Sequence, residues 1–198
     1  MKMKSDILII GGAGHIGLPL GLLFANKGKK VVLYDIDKKN INKINNLKMP
    51  FMEEGGYKLL KKNKNRIYAT SDKKFIKDSK IIIICIGTPV KNNKPNLKHF
   101  FRMFSDVKKY LTPKKLIIIR SSIYPGTCLN VQKFLGKKYD NISYCPERVV
   151  QGKSISELPK LPQIVSGVSK KSINQSKKLF ELICKKIIIT SILEAELI

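Results

Sequence analysis

The sequence predicts an α/β domain, doubly wound around a mostly parallel sheet. Three observations predict it. Short β-branched runs alternate with amphipathic stretches along the whole chain, as in a sheet whose strands are joined by helices. The four isoleucines at 81–84 read as a strand buried on both faces, as central parallel strands are. Several runs end in glycine or proline turns, and open sheets of this kind bind ligands outside the carboxyl ends of their strands.

In chain order, Ile7–Ile10 is the first strand, closed by Gly11-Gly12 and followed by a helical stretch near 15–27. Proline at 19 is tolerated early in that helix, where its missing N–H has no intrahelical partner, and Gly28 is a plausible terminator. Val31–Tyr34 is the second strand, with helical patterns near 38–46 and 55–63 after it. Strands follow at Ile67–Ala69 and Ile81–Ile86, the latter closed by Gly87-Thr88-Pro89. A helix is predicted near 98–110, a strand at Leu116–Ile119, a turn at Tyr124-Pro125-Gly126 and a helix at 127–135. Ile142–Tyr144, Gln163–Val165, a helix near 170–184 and Ile187–Thr190 complete the pattern, the final strand–helix–strand unit extending the sheet.

The 198 residues suffice for one domain with a sizeable core, or for one domain and a fragment of another. The longest apolar run, Ile81–Ile86, is far short of the roughly 18 residues that span a bilayer. The basic start Met1-Lys2-Met3-Lys4 precedes no signal-like apolar region, so a cytoplasmic protein without membrane partners is expected. Cysteines at 85, 128, 145 and 184 form no C-x-x-C pair and have no neighbouring histidine, so neither a metal site nor a disulfide framework is expected. Lys plus Arg is 39 and Asp plus Glu is 14, a net charge of +25. The lysines are spread over every polar segment and greatly outnumber the arginines that read bases best, so no specific nucleic-acid partner is expected. A positive field favours an anionic cofactor and an anionic substrate.

Gly12, Gly14 and Gly17 form a G-x-G-x-x-G pattern between the first strand and the first helix. Gly12 is expected to permit the tight turn, Gly14 to admit a pyrophosphate to the backbone at the helix N-terminus, and Gly17 to let helix and strand pack closely. Asp35 ends the second strand 18 residues after Gly17, near the spacing at which a carboxylate accepts hydrogen bonds from an adenosine ribose. Such a carboxylate repels a 2′-phosphate, so the expected cofactor of this Rossmann fold is NAD. The alternative is that Asp35 and Asp37 only cap the next helix.

The segment Gly14-His-Ile-Gly-Leu-Pro-Leu20, with Tyr34-Asp-Ile-Asp37, resembles the UDP-glucose/GDP-mannose dehydrogenase family. Cys85-Ile-Gly-Thr-Pro89, Arg120-Ser-Ser-Ile-Tyr-Pro-Gly-Thr127 and Tyr144-Cys-Pro-Glu-Arg-Val149 arrive in the family's order and carry the resemblance over essentially the whole chain. The Cys-Pro-Glu-Arg-Val form is most similar to the branch that oxidises UDP-N-acetylhexosamines, especially UDP-N-acetyl-mannosamine. The resemblance implies a two-step, four-electron oxidation of a sugar alcohol to a uronic acid with NAD, through a cysteine thioester. It implies that His15, Ile16 and Thr88 contact the cofactor, the alternative for Thr88 being a hydroxyl that stabilises the Gly-Thr-Pro turn. Ser122, in the place of a family threonine, is expected to contact cofactor or water. Glu147 is expected to handle water and protons, or else simply to pair with Arg148, while Arg148 and Val149 line the nucleotide-sugar site. Two departures, Asn40 in place of a basic residue and Tyr124 in place of a smaller one, exclude nothing.

The resemblance also implies what lies elsewhere. Residues 1–193 are expected to be the NAD-binding domain and 194–198 the start of the family's central dimerisation helix. The catalytic lysine, the cysteine nucleophile and the UDP-binding domain have no counterpart in these residues, and Cys145 and Cys85 are not replacements. The expectation is a truncated or split dehydrogenase, inactive alone, whose full-length relatives are homo-oligomers. The alternatives are a non-catalytic NAD-binding module that needs a partner chain, a basic nucleic-acid-binding domain, and a different hydroxyacid dehydrogenase.

Overall fold

A computed structural model describes residues 5–91 and 94–198, and in it each run expected to be a strand forms one; the basic start Met1–Lys4 lies outside the described residues. The first half consists of β1 (Ile7–Ile10), α1 (Gly17–Asn26), β2 (Val31–Tyr34), α2 (Lys38–Asn45), α3 (Gly56–Lys62), β3 (Ile67–Thr70), α4 (Phe75–Asp78) and β4 (Ile81–Ile84). A short hairpin of β5 (Val90–Lys91) and β6 (Lys94–Pro95) leads to α5 (Lys98–Val107), which tightens into a 3-10 turn at 108–110. β7 (Leu116–Ile119), α6 (Thr127–Leu135), β8 (Ile142–Tyr144), α7 (Ser154–Glu157), β9 (Gln163–Gly167), α8 (Lys170–Phe180), β10 (Ile187–Ile189) and α9 (Ile192–Leu197) follow.

The eight long strands form one sheet in the order β10-β9-β8-β7-β4-β1-β2-β3. Ile7 sits opposite both Val31 and Ile81, and this register carries through β1, β2 and β4. All pairings are parallel except β8 with β9, which is antiparallel. The final strand–helix–strand unit therefore does extend the sheet, but in reversed direction. From β1 the chain builds outward through β2 and β3, then returns to β4 and builds the other way. The switch point lies between β1 and β4, so a crevice opens at their carboxyl ends.

Strand periodicity explains the two cores. Ile7, Ile9, Val31, Leu33, Ile83 and Ile118 face α1, α3 and α8. Their neighbours Leu8, Ile10, Val32, Ile82, Ile84 and Ile119 face α5 and α6. Each central isoleucine is thus buried, worth about 1.5–3 kcal/mol per side chain relative to exposure. Helix ends follow local chemistry. Gly28, at φ +85°, ends α1 with its N–H on the Ala25 carbonyl while Lys29 N–H reaches Phe24. Asp37 caps α2 by accepting from the N–H groups of Lys39 and Asn40. α9 opens with a capping box between Ser191 and Glu194. It is anchored through Glu196, whose carboxylate accepts from the N–H groups of Gly126 (2.6 Å) and Cys128 (2.8 Å) at the start of α6.

No helix among the described residues is long and apolar enough to cross a membrane. Among the same residues no group of three His, Cys, Asp or Glu side chains is placed to hold a metal ion.

Candidate cofactor and substrate site

The turn after β1 is shaped by steric necessity. Gly11 is the residue with positive φ, at +79°. The tight turn expected of Gly12 therefore falls to Gly11, and Gly12 serves differently: a Cβ there would lie 2.7 Å from the Leu33 Cα on β2. Gly17 is held closer still, since its Cβ would meet the Gly11 carbonyl oxygen at 2.3 Å and the Gly12 Cα at 2.9 Å. Gly14 is the open member, with only the Gly11 oxygen at 3.4 Å. The N-terminus of α1 has no side-chain cap and no acid in its first turn. Its orphan N–H groups and positive dipole end suit a pyrophosphate beside Gly14.

Asp35 is not a helix cap. One carboxylate oxygen accepts from Ala13 N–H at 2.9 Å, tying β2 to the glycine turn. The other accepts from Ile36 and Asp37 N–H. The capping alternative holds for Asp37 alone. Beside Asp35 a cavity of about 450 Å³ runs from Gly11 and Ile10 to Gly87 and is walled on one side by His99, Arg102 and Met103 of α5. This wall was not read from the sequence, where α5 is only an amphipathic stretch. The open Gly14, the uncapped helix end, the Asp35 carboxylate and the adjoining cavity together fit NAD.

The remaining predicted residues gather at the same edge of the sheet. His15 is exposed at the turn and stacks on Phe51, ring centroids 3.9 Å apart, with half-buried Ile16 next to it. Thr88 follows β4 and donates from its hydroxyl to the Ser122 carbonyl at 2.5 Å, so the loops after β4 and β7 are joined. The Ser122 side chain is exposed.

Glu147 is the centre of a buried polar cluster that the sequence did not disclose. Its partner is Arg120, at the end of β7 and 2% exposed, and not Arg148. Arg120 donates from Nε to Glu147 Oε2 at 2.7 Å and pairs with the same oxygen through its second terminal nitrogen. Its first terminal nitrogen donates to Gln163 Oε1 at 2.9 Å and to the Cys145 carbonyl at 3.2 Å, and its guanidinium lies over the Phe180 ring. Burial, the largest single influence, would lower the Arg120 pKa, but the charge and hydrogen bond of Glu147 together with the neighbouring Cys85 and Cys145 hold the guanidinium above its usual range. Glu147 Oε1 accepts from the N–H groups of Arg148 and Val149. The exposed Arg148 side chain donates to the Pro162 carbonyl, which folds it along its own loop. Glu53, buried and also missed, accepts from Ile155 N–H at 2.9 Å, while Glu54 N–H donates to Gly152. The segment carrying Phe51 and Glu53 thereby bridges the glycine turn and the loop after Glu147.

Cys128, Cys145 and Cys184 are buried and Cys85 is half-buried. Desolvation pushes Cys145 and Cys85 up to about 12 and Cys184 to about 11, far from thiolate formation at neutral pH.

The glycine turn, the strand-end carboxylate and the crevice at the switch point define a dinucleotide-binding domain of the Rossmann class. A profile of the UDP-glucose/GDP-mannose dehydrogenase family, NAD-binding domain, matches residues 5–184. The UDP-N-acetyl-D-mannosamine dehydrogenase of Methanococcus vannielii is 32% identical over 100% of this chain and 47% of its own length. Protein CapL of Staphylococcus aureus is 33% identical over 83% of this chain and 40% of its own. The solved UDP-D-ManNAc dehydrogenase of Pyrococcus horikoshii superposes with a TM-score of 0.89 at 32% identity, covering 96% of this chain and 48% of that one. The chain belongs to the UDP-glucose/GDP-mannose dehydrogenase family, as its NAD-binding domain. It spans about half the length of the curated relatives it matches.

Proposed function

We propose that these residues form the cofactor-holding portion of a nucleotide-sugar 6-dehydrogenase acting on a UDP-N-acetylhexosamine, with UDP-N-acetyl-mannosamine the first candidate. One observation carries the reading: the glycine turn with Asp35 and the Glu147–Val149 loop open onto one edge of the sheet, so cofactor and sugar can meet there. Names of similar proteins support the choice of sugar. NAD, when bound, accepts hydride from the sugar carbon. Gly12, Gly14, His15, Ile16 and Gly17 seat its pyrophosphate, Asp35 holds its ribose, and Thr88 with Ser122 border its nicotinamide side. Arg148 and Val149 face the nucleotide sugar. Glu147 fixes that loop and serves as the proton-handling carboxylate. All four of its acceptor directions are engaged, so accepting a proton from water requires one of these bonds to open. The lysine and cysteine that the resemblance assigns to the chemistry are not among these residues, so these residues by themselves bind NAD without completing the oxidation.

The test is a fluorescence titration of the purified chain with NADH, beside Asp35→Ala. Saturable binding that the substitution weakens about tenfold or more is expected, since the carboxylate makes charge-assisted bonds. A folded chain that does not bind NADH would refute the assignment. Turnover of UDP-N-acetyl-mannosamine by the chain alone would refute its inactivity.

A further inference from the structure

A cavity of about 630 Å³ lies at the amino-terminal edge of the sheet, opposite the NAD crevice. Ligand pockets run to roughly 300–1,000 Å³, so its volume suits a nucleotide-sized molecule. It is walled by the starts of β4 and β7, the segment after α1, the end of α4 and the last turns of α8. Its floor is apolar, made by Ile81, Leu116, Leu179 and Leu182. Its rim carries Lys29, Lys77, Lys80, Lys114 and Lys178, with Asp78 as the one lining acid. Among the described residues none of these five lysines is ion-paired.

A sixth lysine makes the cleft more than a charged surface. Lys115 is only 8% exposed, and its Nζ donates to the carbonyls of Lys77 (2.8 Å) and Ser79 (2.5 Å). An ammonium has three donors, and among the described residues nothing accepts the third. These two carbonyls hold the Lys115 side chain in place at the cleft. Lysines are abundant throughout the chain, but here they converge on a concave, partly apolar surface, where like charges focus the field. Asp78 relieves part of the Coulomb repulsion among them, and an entering anion would relieve more.

We propose that this cleft is a second anion site, taking a phosphate-bearing compound with an apolar or aromatic body and acting independently of the NAD crevice. The phosphates face the lysine rim and Lys115, and the body lies on the leucine floor. The experiment is calorimetric titration with ATP and, separately, with inorganic tripolyphosphate, with and without NADH, at about 0.15 M salt, where screening beyond roughly 8 Å suppresses diffuse attraction. Saturable one-to-one ATP binding that NADH does not displace is expected, with tripolyphosphate weaker for want of the apolar body. Lys80→Ala/Lys114→Ala/Lys178→Ala should weaken ATP about tenfold or more, equivalent to about 1.4 kcal/mol. Lys58→Ala/Lys61→Ala/Lys62→Ala on α3 removes the same charge from an exposed helix and should leave affinity within about twofold. Equal losses in the two triple variants, displacement by NADH, or no saturable binding would overturn the site. Equal affinity for ATP and tripolyphosphate would overturn the role given to the leucine floor.

Discussion

Replacing Arg120 by methionine tests whether the Glu147 loop is held by a buried ion pair. The substitution preserves much of the side-chain volume but withdraws two donors from Glu147 Oε2 and one terminal nitrogen from both Gln163 and the Cys145 carbonyl. Glu147 then keeps only the N–H groups of Arg148 and Val149, on its other oxygen. Removing one member of a buried pair leaves an uncompensated charge and costs about 3–5 kcal/mol. Against a total stability of about 5–15 kcal/mol, that is a large fraction. Glu147→Leu should cost a similar amount, because it strands a guanidinium that has only Gln163 and one carbonyl left. The double variant, Arg120→Met with Glu147→Leu, buries no charge and should lie within about 1–2 kcal/mol of the parent. The coupling free energy from the cycle should therefore exceed about 2 kcal/mol. Urea denaturation reads it, followed by circular dichroism and tyrosine fluorescence, since the chain has no tryptophan. Unchanged m-values would confirm that the native state and not the unfolded ensemble is being compared. A cost below about 1 kcal/mol for Arg120→Met, or additive single costs, would refute the argument from burial.

Three further outcomes follow from the geometry. Gly14→Ala should keep the melting temperature within a few degrees yet weaken NADH binding, because its Cβ meets only one oxygen at 3.4 Å, whereas Gly17→Ala should lose both, its Cβ being 2.3 Å from a backbone oxygen that cannot withdraw; equal behaviour of the two in a thermal melt with and without NADH would contradict this. Glu196→Ala should destabilise by about 2–3 kcal/mol in urea, since two N–H groups at the start of α6, the half-buried one of Gly126 and the buried one of Cys128, lose a charged acceptor, and Glu196→Gln should recover part of it; a neutral Glu196→Ala would show that α9 is not docked in solution. The native thiols should resist disulfide-exchange reagents at pH 8, and stability should fall as pH rises from about 9 toward about 12. The sign follows because the folded state binds these protons more tightly than the unfolded chain, so their contribution is complete below the unfolded pKa and lost through the folded one. Rapid modification of Cys145 in the folded chain would count against its burial.

The strands and long helices were legible because their signals are local. Ile7–Ile10, Val31–Tyr34 and Leu116–Ile119 begin and end where the sequence pattern places them, bounded by polar residues and glycine turns. Ile81–Ile86 was read two residues too long, since Cys85 and Ile86 are apolar but already follow the last paired residue, Ile84. The four-residue helices α4 and α7 were invisible, being too short to display a 3.6-residue period. The reversed direction of β9 was likewise hidden, because an apolar run does not record which way its strand runs. At the site, Gly12, Gly14, Gly17 and Asp35 could be named as candidates because their relationship is a spacing along one βαβ unit. The Arg120–Glu147–Gln163 cluster was not, since its partners are 27 and 43 residues apart and only the sheet order brings them together. An arginine directly after Ile117–Ile119 was the one available signal, because a charge abutting a strand buried on both faces needs a partner.

The position of Asp35 in so basic a chain bears on how the domain distinguishes its ligands. A net charge of +25 attracts any polyanion, so charge alone cannot prefer NAD over a 2′-phosphorylated dinucleotide or a nucleic acid. The preference has to come from short-range structure. Asp35 is fixed by three backbone N–H groups, one of them from the glycine turn itself, so it cannot swing aside to relieve repulsion. On the proposed reading, a 2′-phosphate would face a carboxylate whose position is set by the glycine turn assigned to the pyrophosphate. Neutralising Asp35 would therefore loosen the turn as well as remove the repulsion, and gain of 2′-phosphate tolerance should come with weaker pyrophosphate binding. If Asp35 holds the ribose as proposed, specificity and affinity share one anchor, while a diffuse positive field chiefly raises the encounter rate.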